Sequence, residues 1–369
     1  MELGFLRRLR ESALWPRIGW VFGTSAGALV GAVAASDRID DFERFVLGLQ
    51  PADVFRPNRL WRLLLLGTHE YSLPDTMTDR IGDPAVLAAE VIQSDVELVV
   101  CATDMTERTT PAGDGHAFEL VYSSREHGPE ELARAILASA AMSGLVPPQR
   151  VGDRIATDGG WTRNFPLGHA YDRPEVQQIV AFRLIQRYPT ADVDTLVAVR
   201  RRLERFGRVP PIRALVEELR EAEERARRGE PAHAIDALVR LMRVAVVHNT
   251  ELEERQASAK DVSIRELRRL RQDVAALVDG GVRDPRERRA LLAALDQRFA
   301  ATRFPFRHDR LVPRITVRGS LGDVSLEAGR RARADWPEAD KRALIERGYE
   351  LADQELTAHG YPAEEVVSR

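Results

Sequence analysis

The chain has 369 residues, 44% of them hydrophobic, which is enough for one large domain or two ordinary ones around a substantial core. Its 54 basic and 57 acidic side chains leave a formal net charge of −3, so a general attraction to nucleic acid is not expected. The single cysteine, Cys101, excludes an intramolecular disulfide framework and a cysteine-rich zinc site.

The sequence contains no apolar run that approaches the ~18 to 20 residues needed to span a bilayer. Its first residues do not resemble a secretory signal, because charges run through their middle and apolar residues recur at helical spacing. We therefore expect a soluble, cytoplasmic globular protein, and the sequence leaves open peripheral contact with a membrane.

The first half of the chain alternates stretches typical of helices with stretches typical of strands. Predicted helices are MELGFLRRLRESALW at 1–15, SAGALVGAVAAS at 25–36 and PEELARAILASAAM at 129–142. Predicted strands are IGWVF at 18–22, VELVVCATD at 96–104 and QQIVAFRLI at 177–185. This alternation predicts an α/β fold with a parallel or mixed sheet and helices on both faces.

From about residue 190 the sequence pattern changes to long helical stretches that are rich in Arg and Glu and interrupted by Gly and Pro. A strand-like run, RITVRG at 314–319, and a helix from about Lys341 to Leu356 follow. The sequence thus predicts three regions: a catalytic core at 1–189, a helical region at 190–302, and a strand and helix at 303–369 that return to the core.

A serine lies between two glycines, in Gly23-Thr24-Ser25-Ala26-Gly27, where the first predicted strand gives way to a helix. The Gly-x-Ser-x-Gly pattern is typical of a nucleophile elbow, a sharp turn that exposes the serine hydroxyl. The N–H groups at the start of the helix, beginning with Ala26, would stabilise a negative oxygen at that point. A tight packing turn without chemistry is the alternative that the pattern leaves open.

A serine hydroxyl is a poor nucleophile until a base removes its proton, and the candidate base is Asp158 of Asp158-Gly159-Gly160. Two glycines after a carboxylate permit a tight turn that presents the side chain. A second Asp-Gly-Gly, at 279–281, ends an amphipathic helix, so a helix C-cap explains its glycines. Because a solvated aspartate has a pKa near ~3.9, we expect Asp158 to be partly desolvated.

Four stretches together resemble the patatin-like phospholipases: GTSAGAL, VELVVCATDM, ILASAAMSGLVPP and DGGWTRNFPLGHA. The resemblance spans about residues 1 to 185. It implies a three-layer α/β/α fold with a mainly parallel central sheet, and an enzyme that hydrolyses acyl esters of lipids without a cofactor or metal. The roles it implies are Ser25 as nucleophile, Asp158 as general base and acid, Gly23, Ala26 and Gly27 at the elbow and oxyanion hole, and Gly159 and Gly160 as the residues that position the aspartate.

Members of this family carry a glycine-rich loop whose backbone N–H groups form the oxyanion hole. The sequence begins in the helix that follows this loop, without the loop or the strand before it. Two explanations fit this gap: a start codon placed too late, or a natural or experimental truncation with little activity. Because both motifs are regular, we favour the first and expect an in-frame glycine-rich segment upstream of Met1.

Two other functions stay open. The first is an α/β-hydrolase-type esterase with a Ser-Asp-His triad. Histidines that follow the aspartate and could complete such a triad are His169, His248, His308 and His359. The second is a catalytically silent lipid-binding or regulatory protein. Head group, acyl length, hydrolysis against acyl transfer, and oligomeric state are not predicted.

Overall fold

The structure is a computed structural model, and it describes residues 1–57, 69–106, 118–142, 146–185, 197, 200, 201, 204, 210–228, 230, 234–302, 310–320 and 335–364. Contacts divide the chain into two units. The first unit comprises Met1–Pro166, Val180–Thr250 and Ile315–Arg369, and the second comprises Leu167–Ile179 and Glu251–Arg314. The predicted boundaries at 189 and 302 stay predictions, because most of residues 186–209 and all of 303–309 lie outside the described residues.

The described strands are β1 Trp20–Thr24, β2 Phe55–Pro57, β3 His69–Tyr71, β4 Glu97–Asp104, β5 Glu119–Ser123, β6 Gln149–Val151, β7 Arg154–Thr157, β8 Ile179–Ile185 and β9 Arg314–Ser320. The described α-helices are α1 Glu2–Arg10, α2 Ala26–Ala35, α3 Ile39–Gly48, α4 Pro51–Val54, α5 Leu73–Arg80, α6 Pro84–Gln93, α7 Pro129–Ser139, α8 Gly160–Arg163, α9 Leu167–Asp172, α10 Pro210–Arg227, α11 Ala234–Gly281, α12 Pro285–Ala301 and α13 Glu338–Ala358. A short 3₁₀ helix covers Trp15–Arg17.

Five of these strands form the central sheet, in the order β1-β4-β7-β6 with β5 also paired to β4. β1 is parallel to β4, with Thr24 opposite Cys101. The pairings β4–β5, β4–β7 and β6–β7 are antiparallel. Strands β1, β4 and β6 therefore run in one direction, and the sheet is mixed at the level of its hydrogen-bonded pairs. The predicted α/β fold is confirmed.

The middle of the sheet is covered on both faces, which explains the almost uninterrupted apolar run of β4. Side chains of a strand alternate between faces. Leu98, Val100 and Ala102 enter an apolar cluster with α6 and α7, and the intervening Val99 and Cys101 are also buried. Both faces of β4 are therefore covered by other parts of the chain.

The first and last helices of the first unit, α1 and α13, pack backbone against backbone at Gly4. A Cβ on Gly4 would lie 1.8 Å from the Ile345 carbonyl oxygen, so α1 and α13 approach closely only because position 4 is glycine. One turn further on, the fully buried Arg8 donates to Asp353 at 2.6 Å. The predicted C-terminal helix thus packs against the N-terminal one and contributes to the same core.

The second unit is built around the later part of α11. The Gly168 N–H donates to Glu253 at 3.1 Å, and the Lys260 ammonium lies 5.0 Å from the centre of the Tyr171 ring. The second Asp-Gly-Gly lies at the end of α11, as expected, but Gly280 and Gly281 are its last helical residues and neither has a positive φ, so the predicted C-cap role of these glycines is wrong. Among the described residues, every helix is too short or too polar to cross a membrane.

Candidate functional site

Ser25 lies at the sharp turn between β1 and α2. Its backbone has φ 56° and ψ −130°, which a residue with a side chain rarely adopts. Such a conformation costs on the order of 1–3 kcal/mol and persists only where the surroundings enforce it. The predicted strained turn is therefore present, and it leaves the Ser25 side chain partly exposed.

The two glycines of the elbow differ in what they contribute. A Cβ on Gly23 would lie 2.4 Å from the Gly27 carbonyl oxygen and 2.8 Å from Ala28 Cα, so only glycine fits there. A Cβ on Gly27 would meet nothing nearer than Glu2 Oε1, at 3.9 Å. The turn therefore requires glycine at position 23 for steric reasons, whereas position 27 has room for a side chain.

The pairing of the strands explains why Asp158 meets Ser25. β5 pairs with Cys101 and Thr103 on one edge of β4, and β1 occupies the other edge as far as Cys101. Because β7 also pairs with Thr103, β7 must lie on the same edge of β4 as β1. It lies just beyond the end of β1 and runs towards that end. The last residues of the two strands face positions ~7 Å apart along β4. The next residues, Ser25 and Asp158, therefore converge although 133 positions separate them.

The hydroxyl of Ser25 donates to Asp158 Oδ2 at 2.7 Å. The other carboxylate oxygen, Oδ1, accepts the Gly160 N–H at 2.7 Å, so the second glycine of the motif fixes the carboxylate plane. Asp158 is 6% exposed. Burial raises the pKa of Asp158 above its usual range, and the hydrogen bonds from Ser25 and Gly160 oppose that rise. The desolvation expected from the sequence is thus present.

Backbone contacts hold the Asp158 turn against the sheet. The Asp158 N–H donates to the Ala141 carbonyl oxygen at 3.0 Å, and its own carbonyl accepts the Thr103 hydroxyl at 2.8 Å. A Cβ on Gly159 would lie 2.1 Å from the Cys101 carbonyl oxygen. Glycine at 159 is therefore needed for this close approach to β4.

The first part of α11 braces the loop that follows Asp158, within the first unit. Asn164 donates from Nδ2 to the Thr250 hydroxyl at 2.7 Å, and Thr250 in turn donates to the Val246 carbonyl at 2.9 Å. Asn249 donates to the Trp161 carbonyl oxygen. The sequence gives no sign that a helix nearly a hundred positions away supports this loop.

Ala26 is the first residue of α2, and its position is exposed. The first N–H groups of a helix have no partner within the helix, and the helix dipole favours negative charge beside them. Ala26 can therefore offer its N–H to an oxygen bound in front of Ser25.

An apolar pocket lies beside α2 and begins one helical turn after Ser25. Leu29 and Val33 of α2 face Met77, Ile136 and Leu137 across this pocket. The pocket lining is almost entirely hydrocarbon, which suits an apolar chain and leaves few polar groups to desolvate.

Ser25 and Asp158 make their hydrogen bonds without a histidine in the part of the chain that the structure describes. His308 lies outside the described residues. The predicted elbow and Asp-Gly-Gly residues come together at one point, and among their glycines Gly27 has room for a side chain.

The family comparison covers the same part of the chain as this site. Residues 1–171 match the family model described as Patatin-like phospholipase. This segment is patatin-like. The predicted resemblance is thereby confirmed.

Curated relatives that match include an uncharacterized NTE family protein of Mycobacterium bovis and two from Mycobacterium tuberculosis. Each is 28% identical over 170 residues, which is 45% of this chain and 40% of the relative. The chain thus matches well under two thirds of the length of these relatives.

Proposed function

We propose that the patatin-like segment is a serine acyl-ester hydrolase that acts on lipids through a Ser25–Asp158 dyad and an acyl-enzyme intermediate. The 2.7 Å hydrogen bond from the Ser25 hydroxyl to a buried carboxylate carries this proposal. A proton acceptor within hydrogen-bonding reach of a strained, partly exposed serine is what nucleophilic catalysis requires.

Asp158 accepts the Ser25 proton while Oγ bonds to the ester carbonyl carbon. As the tetrahedral intermediate collapses, the bond from carbon to the alcohol oxygen breaks, and Asp158 returns the proton to that oxygen. Water then attacks the acyl-enzyme, gives its proton to Asp158, and releases the carboxylic acid as the proton passes back to Ser25. The raised pKa of Asp158 supports this role, because a buried carboxylate is a better base than a solvated one.

The negative carbonyl oxygen forms in front of the N-terminus of α2. The Ala26 N–H and the helix dipole supply stabilisation there, and a single such donor is worth ~10²- to 10³-fold in rate. The acyl chain occupies the apolar pocket, whose wall along α2 starts at Leu29.

Hydrolysis of p-nitrophenyl esters of graded acyl length tests the reaction and the pocket together. Wild type should hydrolyse them, and Ser25→Ala should lose at least ~10³-fold in kcat. Ala32→Leu, which narrows the pocket, should reduce kcat/KM for long acyl chains more than for acetate, with the exposed Val86→Leu as control.

Equal activity of wild type and Ser25→Ala would contradict the dyad. A folded wild-type protein that hydrolyses no ester would favour the silent lipid-binding protein instead. An equal effect of Ala32→Leu on kcat/KM for all acyl lengths would contradict binding of the acyl chain in this pocket.

A further inference from the structure

Ser139, the last residue of α7, is fully buried and connects the elbow to the central strand. Its Oγ accepts the Ser25 N–H at 2.9 Å and donates its own proton to the Cys101 carbonyl oxygen at 2.7 Å. The hydroxyl thus uses a lone pair on one side and its proton on the other, which fixes its orientation. From the sequence, Ser139 is one small residue in an apolar helix.

The Ser25 N–H is a group that the turn itself leaves without a partner. Ser25 is the residue before the first turn of α2, so its N–H has no acceptor within the helix. With φ at 56°, the turn relaxes unless external contacts hold it. Ser139 supplies such a contact to the Ser25 backbone, separate from the bond that the Ser25 hydroxyl makes to Asp158.

The Ser139 hydroxyl thus forms a bridge from the Ser25 N–H to the Cys101 carbonyl group. The turn that carries Asp158 packs against the same carbonyl group. Gly159 approaches the Cys101 carbonyl so closely that a Cβ would lie 2.1 Å away. Ser139 bonds to the same carbonyl oxygen, at 2.7 Å. The same peptide group of β4 therefore positions both turns: that of Ser25 through the Ser139 hydroxyl, and that of Asp158 through Gly159.

We propose that Ser139 is a positioning residue that holds the backbone of Ser25 so that its hydroxyl stays within reach of Asp158. It does not touch the reacting atoms. The proposal rests on the proposed hydrolase function for its effect on rate, but the hydrogen bond itself can be tested without any activity.

Ser139→Ala removes the bridge, and Ser124→Ala is the matched control. Ser124 is also a buried serine whose hydroxyl accepts a β4 N–H, that of Leu98, at 3.0 Å. We expect Ser139→Ala to lower kcat for p-nitrophenyl esters by ~10- to 100-fold, with KM within about threefold of wild type, because a small misplacement of the nucleophile affects the chemical step. Ser124→Ala should keep kcat within about twofold at a similar loss of thermal stability.

Two further variants keep the test decisive if Ser139→Ala does not fold. Ser139→Thr keeps the hydroxyl and should restore most of kcat, whereas the sulfur of Ser139→Cys is a weak acceptor and should not. Equal kcat in the two variants, or an equal loss of kcat in Ser124→Ala, would overturn the proposal.

Hydrogen exchange of the Ser25 amide separates this proposal from the proposed function. Exchange should be at least ~10-fold faster in Ser139→Ala than in wild type and unchanged in Ser124→Ala. If wild type hydrolyses no ester, the hydrolase function fails while this measurement still decides the bridge. An unchanged Ser25 exchange rate in folded Ser139→Ala would overturn it.

Discussion

Substitution of the first elbow glycine tests whether the geometry of the turn sets the rate. In Gly23→Ala the new Cβ would lie 2.4 Å from the Gly27 carbonyl oxygen, whereas real Cβ contacts stay above 3.0 Å, so the backbone must move by at least ~0.6 Å. All three of the nearest atoms belong to the backbone of Gly27 and Ala28, and no flexible side chain can yield instead. Overpacking of this kind costs ~1–3 kcal/mol of stability. A displacement approaching 1 Å beside a reacting group costs ~10²-fold in rate, which is the loss of kcat/KM that we expect.

Gly27→Ala is the matched control on the other side of Ser25. Its Cβ would meet nothing within 3.9 Å, and alanine at an accessible helical position stabilises by up to ~1 kcal/mol. Both variants are compared in an ester hydrolysis assay and in urea unfolding. Equal effects of the two substitutions on kcat/KM would refute the steric argument.

Three further predictions concern the base, the loop behind it and the junction of the terminal helices. Because burial raises the pKa of Asp158 above its unfolded value, wild type loses folding stability as pH rises from the unfolded to the folded pKa of this group. Asp158→Asn, which is neutral at every pH, should therefore unfold at the same or a higher Tm than wild type near pH ~7, and the difference should close below pH ~3.9 in thermal scans. The same variant should lower kcat ~10²- to 10⁴-fold. Thr250→Val leaves the Asn164 side chain without its acceptor and should cost ~1–3 kcal/mol and about tenfold in kcat/KM, whereas Thr250→Ser should match wild type in both urea unfolding and ester hydrolysis. Asp353→Ala leaves the buried Arg8 guanidinium without its carboxylate, and it should lower the free energy of unfolding in urea by ~1–3 kcal/mol. Arg8→Met removes the charge as well and should cost less. A larger loss for Arg8→Met would contradict this prediction.

Local patterns predicted most of the elements that position the site. The strand at 18–22 appears as Trp20–Thr24, the helix at 25–36 as Ala26–Ala35, and the strand at 96–104 as Glu97–Asp104. Each follows from the run or spacing of its apolar residues. The close pairing of Ser25 and Asp158 was expected from the two motifs and the family resemblance.

Features that depend on distant contacts were not visible in the sequence. The head-on arrangement of β1 and β7 follows from pairing with both edges of β4, which no local pattern encodes. Ser139 occupies an ordinary position at the end of an apolar helix, and only its place in the fold gives it the Ser25 N–H as a partner. The same holds for Thr250, whose hydroxyl meets Asn164 across 86 positions.

Mapping the adduct of a fluorophosphonate probe by peptide mass spectrometry tests the central claim most directly. The account predicts a single stoichiometric adduct on Ser25 that forms in wild type, is absent in Ser25→Ala, and forms at least ~10²-fold more slowly in Asp158→Asn. An unlabelled wild-type protein, an adduct on another residue, or equal labelling rates in wild type and Asp158→Asn would contradict it.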